Sequence, residues 1–294
     1  MADVAILGTG RMGSAMARRV AGAGHRLAVW NRTEATARVV ADGIPGVVSV
    51  ASTPAAAVRN KDVVLTVLAD GDATRTTVLD RGVLTALTPG TVLCDLGTSG
   101  PSVATDLARG LADAQVRFLD APVSGSVPAV EAGTLLVMAG GDADAVAVAR
   151  PVLAAFARTV LHVGPAGAGQ TMKLAVNLVV HDLNSAVAEA LVIATSAGID
   201  AAAAYDVFEE SVIAAPFVHY KRAAFLEPDG PVAMSLDLVG KDLRLIVALA
   251  DELRVPVRMT EANAASVAAA CRAGYGPRDM ASLSRFLTAH RDSV

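Results

Sequence analysis

The chain has 294 residues, of which 53% are hydrophobic, 18% charged and only 3% aromatic, and it carries a formal net charge of −4. Such a composition describes a globular chain with a large core of small aliphatic side chains, and it excludes a disordered, fibrous or nucleic-acid-coating protein because no basic footprint is present. Cys94 and Cys271 are too few for a disulfide framework and the histidines lack metal-ligand spacing, so neither an oxidising compartment nor a metal site is expected. The sequence opens without a basic, cleavable leader and contains no run of about 18 uninterrupted apolar residues, from which a cytoplasmic protein with no membrane partner is expected.

From Val4 to Val163 short apolar runs alternate with helical patterns: 4–7, 27–30, 63–67, 92–94, 118–119, 135–139 and 160–163. This rhythm predicts βαβ units and a doubly wound α/β sheet of Rossmann type, a dinucleotide-binding domain over residues 1–164. Past Gly169 the strand signals stop. Residues 170–197 form one pattern free of Gly and Pro, a helix of roughly 42 Å at 1.5 Å per residue. Further helices are expected at 201–212, 235–253, 259–273 and 279–290, punctuated by Pro216, the Pro228/Gly230/Pro231 cluster, Pro256 and the Gly274/Gly276/Pro277 cluster. Residues 165–294 thus read as an all-α substrate and dimerisation domain that includes the long interdomain helix. So long an apolar helix needs cover from its own domain or another subunit, implying a homodimer or homotetramer.

Gly8-Thr9-Gly10-Arg11-Met12-Gly13 follows the first strand directly and opens a helix. The first glycine allows a tight turn, the second a close approach of pyrophosphate, and the third close packing of helix on strand, with the anion on the helix N-terminus. The second strand ends Asn31-Arg32-Thr33, with no acid to bind a ribose 2′-hydroxyl. Arg32 can stack on adenine and pair with a 2′-phosphate while Asn31 and Thr33 offer neutral hydrogen bonds, so NADP(H) is favoured over NAD(H), although Glu34 lies one step on.

Only four basic residues are lysines: Lys61, Lys173, Lys221 and Lys241. In a chain whose default cation is arginine, a lysine within an apolar stretch stands out, because burial can move its pKa into a working range. Lys173 is such a residue, among Met172, Leu174, Ala175, Val176 and Leu178, with Asn177 four positions on and on the same face. An ammonium there can protonate a carbonyl oxygen as hydride arrives at carbon, and the amide can hold it or the substrate hydroxyl in register. Asp120-Ala-Pro-Val-Ser124-Gly125-Ser126 offers a turn of amides and hydroxyls suited to a carboxylate. Lys241 sits in a later helix, flanked by Asp242 and Arg244 at spacings that predict no direct pairing. Lys61 reads as surface, and Lys221 has no assigned role.

Gly8–Gly13, Asp120–Gly125, Gly167–Asn177 and Lys241-Asp242, in this order, resemble the G-x-G-x-M-G, D-A-P-V-S-G, G-x-G-x-x-x-K-x-x-x-N and K-D motifs of the β-hydroxyacid dehydrogenase family, along the whole chain. The resemblance implies Lys173 as catalytic acid/base, Ser124 and Gly125 as binders of a small carboxylate-bearing substrate, and Asn177 as its orienting residue. It places Thr98, in Asp95-Leu-Gly-Thr98-Ser, and Lys241 against the nicotinamide. Asn31-Arg32-Thr33 and Leu68-Ala69-Asp70 are closest in detail to the glyoxylate/succinic semialdehyde reductase branch. Gly97 stands where the family commonly has Ser, and Ser126 where a second Gly is usual, which narrows the expected pocket. The implied activity interconverts a short semialdehyde or 2-oxo acid and its hydroxy acid. Imine reductases share the V-W-N-R-T strand end but commonly lack the lysine and D-A-P-V-S-G, and non-catalytic relatives that associate with chromatin lack the lysine and carry extra domains.

Overall fold

The computed structural model describes residues 1–44, 48–227 and 229–291, and divides into two compact units, Met1–Lys173 and Leu174–Val294. Pro228, one of the breaks expected from the sequence, lies outside the described residues.

The first unit is built on one nine-stranded sheet: β1 (Asp3–Leu7), β2 (Arg26–Trp30), β3 (Val48–Val50), β4 (Val63–Thr66), β5 (Val92–Asp95), β6 (Arg117–Asp120), β7 (Val123–Ser124), β8 (Leu135–Gly141) and β9 (Ala157–Gly164). The order β3-β2-β1-β4-β5-β6 is parallel throughout. The chain winds outward from β1 to β3 and then returns beside β1, so strand order reverses between β1 and β4, the place where open α/β sheets bind ligands. Successive residues of β1 face opposite sides, Val4 and Ile6 entering one core and Ala5 and Leu7 the other, which is why these strands read as unbroken apolar runs. Flanking helices supply the covers: Arg11–Gly22 buries Met16 and Val20, and Pro101–Ala112 buries Val103, Leu107 and Leu111 at helical spacing.

Two strands depart from the sequence expectation. β3 and β7 have three and two residues, too short for a periodic signal. The sheet is also mixed: β8 runs antiparallel to β6 and β7 and parallel to β9. β6 and β7, separated only by Ala121 and Pro122, point the same way, and the chain doubles back after β7 through the short helix Val127–Glu131 to enter β8 antiparallel to both.

Among its described residues the second unit holds helices and turns and no strand: Ala201–Glu210, Pro216–Leu226, Leu236–Leu253, Arg258–Ala270 and Leu283–Ala289. Pro216, expected as a break between helices, instead starts one, at the first helical position where a missing N–H costs nothing. The expected helix 259–273 ends at Ala270 and passes into a wider turn whose Gly274 has φ +88°, and the last helix begins with a tighter turn at Met280–Ser282. The core gathers Tyr205, Phe217, Phe225, Leu236, Leu243, Ile246 and Phe286. Lys221 is buried in this unit and its Nζ lies 2.7 Å from Asp279 Oδ1, while the other Asp279 oxygen accepts from the N–H of Ala233 at 2.9 Å.

A helix of 29 residues, Ala168–Ser196, runs unbroken past the division between the units. It is long and apolar enough to cross a membrane by length and composition, with 33% of its most apolar window buried.

Candidate active site

At the carboxyl end of β1 the glycine loop has the form its spacing predicts. Gly8 has φ +105°, and a Cβ there would stand 2.2 Å from the Val67 carbonyl oxygen; a Cβ on Gly13 would stand 2.0 Å from that of Gly8. A Cβ on Gly10, by contrast, would meet no atom within 4 Å. The helix that follows, Arg11–Gly22, has no side-chain cap, so its first N–H groups face outward over exposed Gly10. An open approach over an uncapped helix N-terminus fits the pyrophosphate of a dinucleotide.

Asn31 ties this loop to the end of β2: its Oδ1 accepts from Thr9 N–H at 3.1 Å and its Nδ2 donates to the Thr33 carbonyl at 3.0 Å. Arg32 and Thr33 are exposed beside it, whereas Glu34 is engaged by Arg38 one helical turn on. At the end of β4, Leu68 and Ala69 lead to Asp70, which caps the short helix Gly71–Arg75 by accepting from Ala73 N–H at 2.8 Å. The four carboxyl ends of β1, β2, β4 and β5 thus gather Gly8–Gly13, Asn31–Thr33, Leu68–Asp70 and Thr98 on one edge of the sheet.

Two acids in register on β5 and β6, Asp95 and Asp120, are fully buried beneath that edge. Asp95 accepts from Ser99 Oγ at 2.7 Å and Thr66 Oγ1 at 2.8 Å. Burial pushes its carboxyl up to about 6 against the pull of these bonds, with a further push from Asp120. Asp120 accepts from the N–H groups of Gly167 at 2.8 Å and Gln170 at 2.7 Å, and burial raises its carboxyl too. Asp120 therefore fixes the start of the long helix, and Lys173 follows Gln170 by three residues. Beyond β6, Ser124 closes β7, Gly125 is exposed at φ +125°, and Ser126 precedes the short helix Val127–Glu131 without capping it through its side chain, leaving a half-exposed turn of amides and hydroxyls.

Within the second unit Asn177 is buried and its Nδ2 donates to Asp242 Oδ2 at 2.7 Å. His181, one turn further on and also buried, has Nε2 3.5 Å from the same oxygen. Lys241 Nζ stands 3.1 Å from Asp242 Oδ1, so these neighbours do pair, contrary to the sequence expectation: both side chains reach the same side of the helix. Burial alone would push the Asp242 carboxyl up; facing His181 and Lys241 outweigh it and hold the group below the usual carboxylate range. The sequence reading gave no role to Gln170, His181, Asp242 or the two strand-end acids. His181 carried a legible signal, since it continues the four-residue spacing of Lys173 and Asn177.

Residues 3–164 match the family described as the NAD binding domain of 6-phosphogluconate dehydrogenase, and residues 167–287 the one described as NAD-binding of NADP-dependent 3-hydroxyisobutyrate dehydrogenase. A 3-hydroxyisobutyrate dehydrogenase of Pseudomonas aeruginosa is 35% identical over 213 residues, 72% of this chain and 70% of that one. Glyoxylate/succinic semialdehyde reductase 1 of Arabidopsis thaliana is 28% identical over 283 residues, 96% of each chain. Mycobacterium tuberculosis 3-hydroxyisobutyrate dehydrogenase, solved with L-serine, has a TM-score of 0.87 at 30% identity and covers 98% of this chain and 99% of that one. An imine reductase from Myxococcus stipitatus, covering 98% of this chain and 99% of that one, has a TM-score of 0.66 at 21% identity, a likeness of fold alone.

Proposed function

The chain belongs to the β-hydroxyacid dehydrogenase family, nicotinamide-dependent oxidoreductases acting on CH–OH groups, and we propose that it interconverts a short semialdehyde or 2-oxo acid and its hydroxy acid with NADP(H). The observation that supports this most directly is Lys173, one turn before Asn177 on a helix whose start is bound to Asp120 at the ligand-binding edge of the sheet.

The hydride that reaches or leaves the carbonyl carbon would be supplied or taken up by a bound dinucleotide. The chain's own residues do the rest. Gly8, Thr9, Gly10, Arg11, Met12 and Gly13 would hold the pyrophosphate, exposed Arg32, flanked by Asn31 and Thr33, would pair with a 2′-phosphate, and Leu68, Ala69, Asp70, Thr98 and Lys241 are the further residues assigned to cofactor binding. Ser124, Gly125 and Ser126 receive the substrate carboxylate. Lys173 gives its proton to the carbonyl oxygen in reduction and takes one from the hydroxyl in oxidation. Because Asn177 spends an N–H on Asp242, its amide oxygen is left to accept from the substrate hydroxyl. The domain roles follow the chain, residues 1–164 for the dinucleotide and 165–294 for substrate and self-association as a homodimer or homotetramer. A cytoplasmic location without membrane or nucleic-acid partners belongs to the same reading; the long helix buries Asn177, His181, Asn184 and Ser185 together with Leu174, Val187, Ala188 and Leu191.

One screen tests the reading: oxidation of NADPH, and of NADH alongside, with glyoxylate, succinic semialdehyde, methylmalonate semialdehyde, tartronate semialdehyde and a cyclic imine. Semialdehyde or 2-oxo acid turnover with a preference for NADPH is expected, and Lys173→Ala should bind NADPH normally while kcat drops by about 10²–10⁴. Faster reduction of the imine would move the assignment to imine reduction, and near-normal kcat in Lys173→Ala would remove the lysine from its role.

A further inference from the structure

One side chain joins the start of the long helix to the loop after β5. Gln170 is fully buried. Its Oε1 accepts from the N–H groups of Ser99 at 3.0 Å and Gly100 at 3.1 Å, and its Nε2 donates to the Gly97 carbonyl at 2.8 Å. A glutamine amide has two acceptor positions and two donors, and three of the four are spent on backbone groups that bracket Thr98 on both sides. The backbone N–H of Gln170 goes to Asp120, so the residue is fixed at its root as well as its tip. Its neighbour Gly169 brings the helix so close to the sheet that a Cβ there would stand 2.4 Å from the carbonyl oxygens of Asp120 and Met138. From the other side, Asp95 Oδ1 accepts from Gly97 N–H at 3.3 Å and Asp95 Oδ2 from Ser99 Oγ.

Helix formation does not ask for this residue. An apolar side chain would fill the same space without the cost of burying an amide, which is offset only because each partner is in place. The partners all belong to the loop that carries Thr98, and Lys173 follows by three residues on the same rigid turn.

We propose that Gln170 is a positioning residue of this site, a buried clamp that sets the Thr98 loop in register with the helix turn bearing Lys173. It acts through those two residues. The inference rests on Lys173 being the acid/base proposed above, and its test separates the two ideas.

Amide hydrogen exchange on the full chain reads the clamp without any turnover. In Gln170→Met, which keeps length and volume but removes the three side-chain bonds, Ser99 and Gly100 amides are expected to exchange about 100-fold faster; unchanged exchange would overturn the clamp. Kinetics read the positioning. With folding verified by Tm, kcat of this variant should fall about 10- to 100-fold while the Kd for NADPH stays within about 3-fold of wild type. Combining it with Lys173→Ala should cost little beyond Lys173→Ala alone, the mark of residues acting as a unit. Faster exchange with normal kcat, or fully multiplicative losses, would leave a clamp that stabilises the loop and positions nothing, and would overturn the proposal. If Gln170→Met does not fold, Gln170→Glu keeps the two acceptor contacts and loses the donor to Gly97; a reduced kcat at normal NADPH affinity supports the proposal and a wild-type kcat overturns it. Failure of the wild-type chain to turn over any carbonyl in the screen would defeat the Lys173 reading on its own, and the exchange result would still decide whether the clamp exists.

Discussion

Asp95 illustrates how a single residue can favour the site at the expense of the fold. Its carboxyl is fully buried and pushed up to about 6, chiefly by burial. Since that folded value lies above the ordinary 3.8, the native state holds a proton that the unfolded chain releases. Stability therefore falls as pH rises through about 6 and recovers as pH drops toward 4, a swing on the order of 3 kcal/mol. Asp95→Asn, similar in shape and without charge, lacks this dependence. The Tm of the wild type relative to Asp95→Asn is expected to rise on going from pH 7.5 to pH 5, and parallel Tm curves over that range would show that the carboxyl does not titrate in this way. At the residue scale, motifs with local geometry were legible in the sequence: the glycine loop, the lysine and asparagine one turn apart, the serine-glycine turn. Buried polar residues were not, because their meaning lies in distant partners. Gln170 meets Ser99 across 71 positions and Asn177 meets Asp242 across 65.

Among the elements, the long helix departs furthest from a simple reading. Its hydropathy suggests an apolar rod to be covered, yet Asn177, His181, Asn184 and Ser185 are buried on it beside Leu174, Val187, Ala188 and Leu191: Asn184 donates to the Met280 carbonyl at 3.1 Å, and Ser185 to Asn263 Oδ1 at 2.6 Å. Parallel strands β1, β2, β4, β5 and β6 were legible because strands buried on both faces are continuous apolar runs. The helix Pro216–Leu226 was not, because in sequence a proline that breaks the chain between helices looks the same as one that opens a helix. Asp242 is the acceptor that buried Asn177 needs. Asp242→Leu leaves the Asn177 N–H and the Lys241 ammonium without it, and is expected to cost about 3–5 kcal/mol in urea unfolding, against about 1 kcal/mol for Asp242→Asn, which keeps an oxygen in place. With its folded pKa held below 3.8, the carboxylate contributes in full above about pH 4, and the contribution fades as pH falls through the folded value. Equal losses for the two variants at pH 7 would mean that packing, not the acceptor, matters at this position.

For the molecule as a whole, composition poses two questions, one about the scarce lysines and one about the long helix. The scarce lysines pointed to Lys173 and Lys241, but Lys221, which offered no signal, is the most deeply buried lysine among the described residues, paired with Asp279 58 positions away. The uncovered apolar helix has a more regular answer. Met172, Val176, Val179, Leu183, Ala186, Ala190 and Ile193 recur at alternating steps of four and three, and each is exposed or half-buried, with Val179 at 63% and Ile193 at 72%. A 3.5-residue apolar repeat sustained over three heptads is the pattern that buries itself against another helix. Cover by a second copy of the chain would remove these side chains from water at about 1.5–3 kcal/mol for each fully buried Val or Ile. Sedimentation of the wild-type chain at micromolar concentration is expected to give a dimer or tetramer. Replacing Val179 and Ile193 together with Asp places four charges in a dimeric seam and should yield monomers that still bind NADPH, since neither residue lies near the glycine loop in sequence. A wild-type monomer, or an oligomer indifferent to both substitutions, would mean that this stripe is not the surface through which the chain associates.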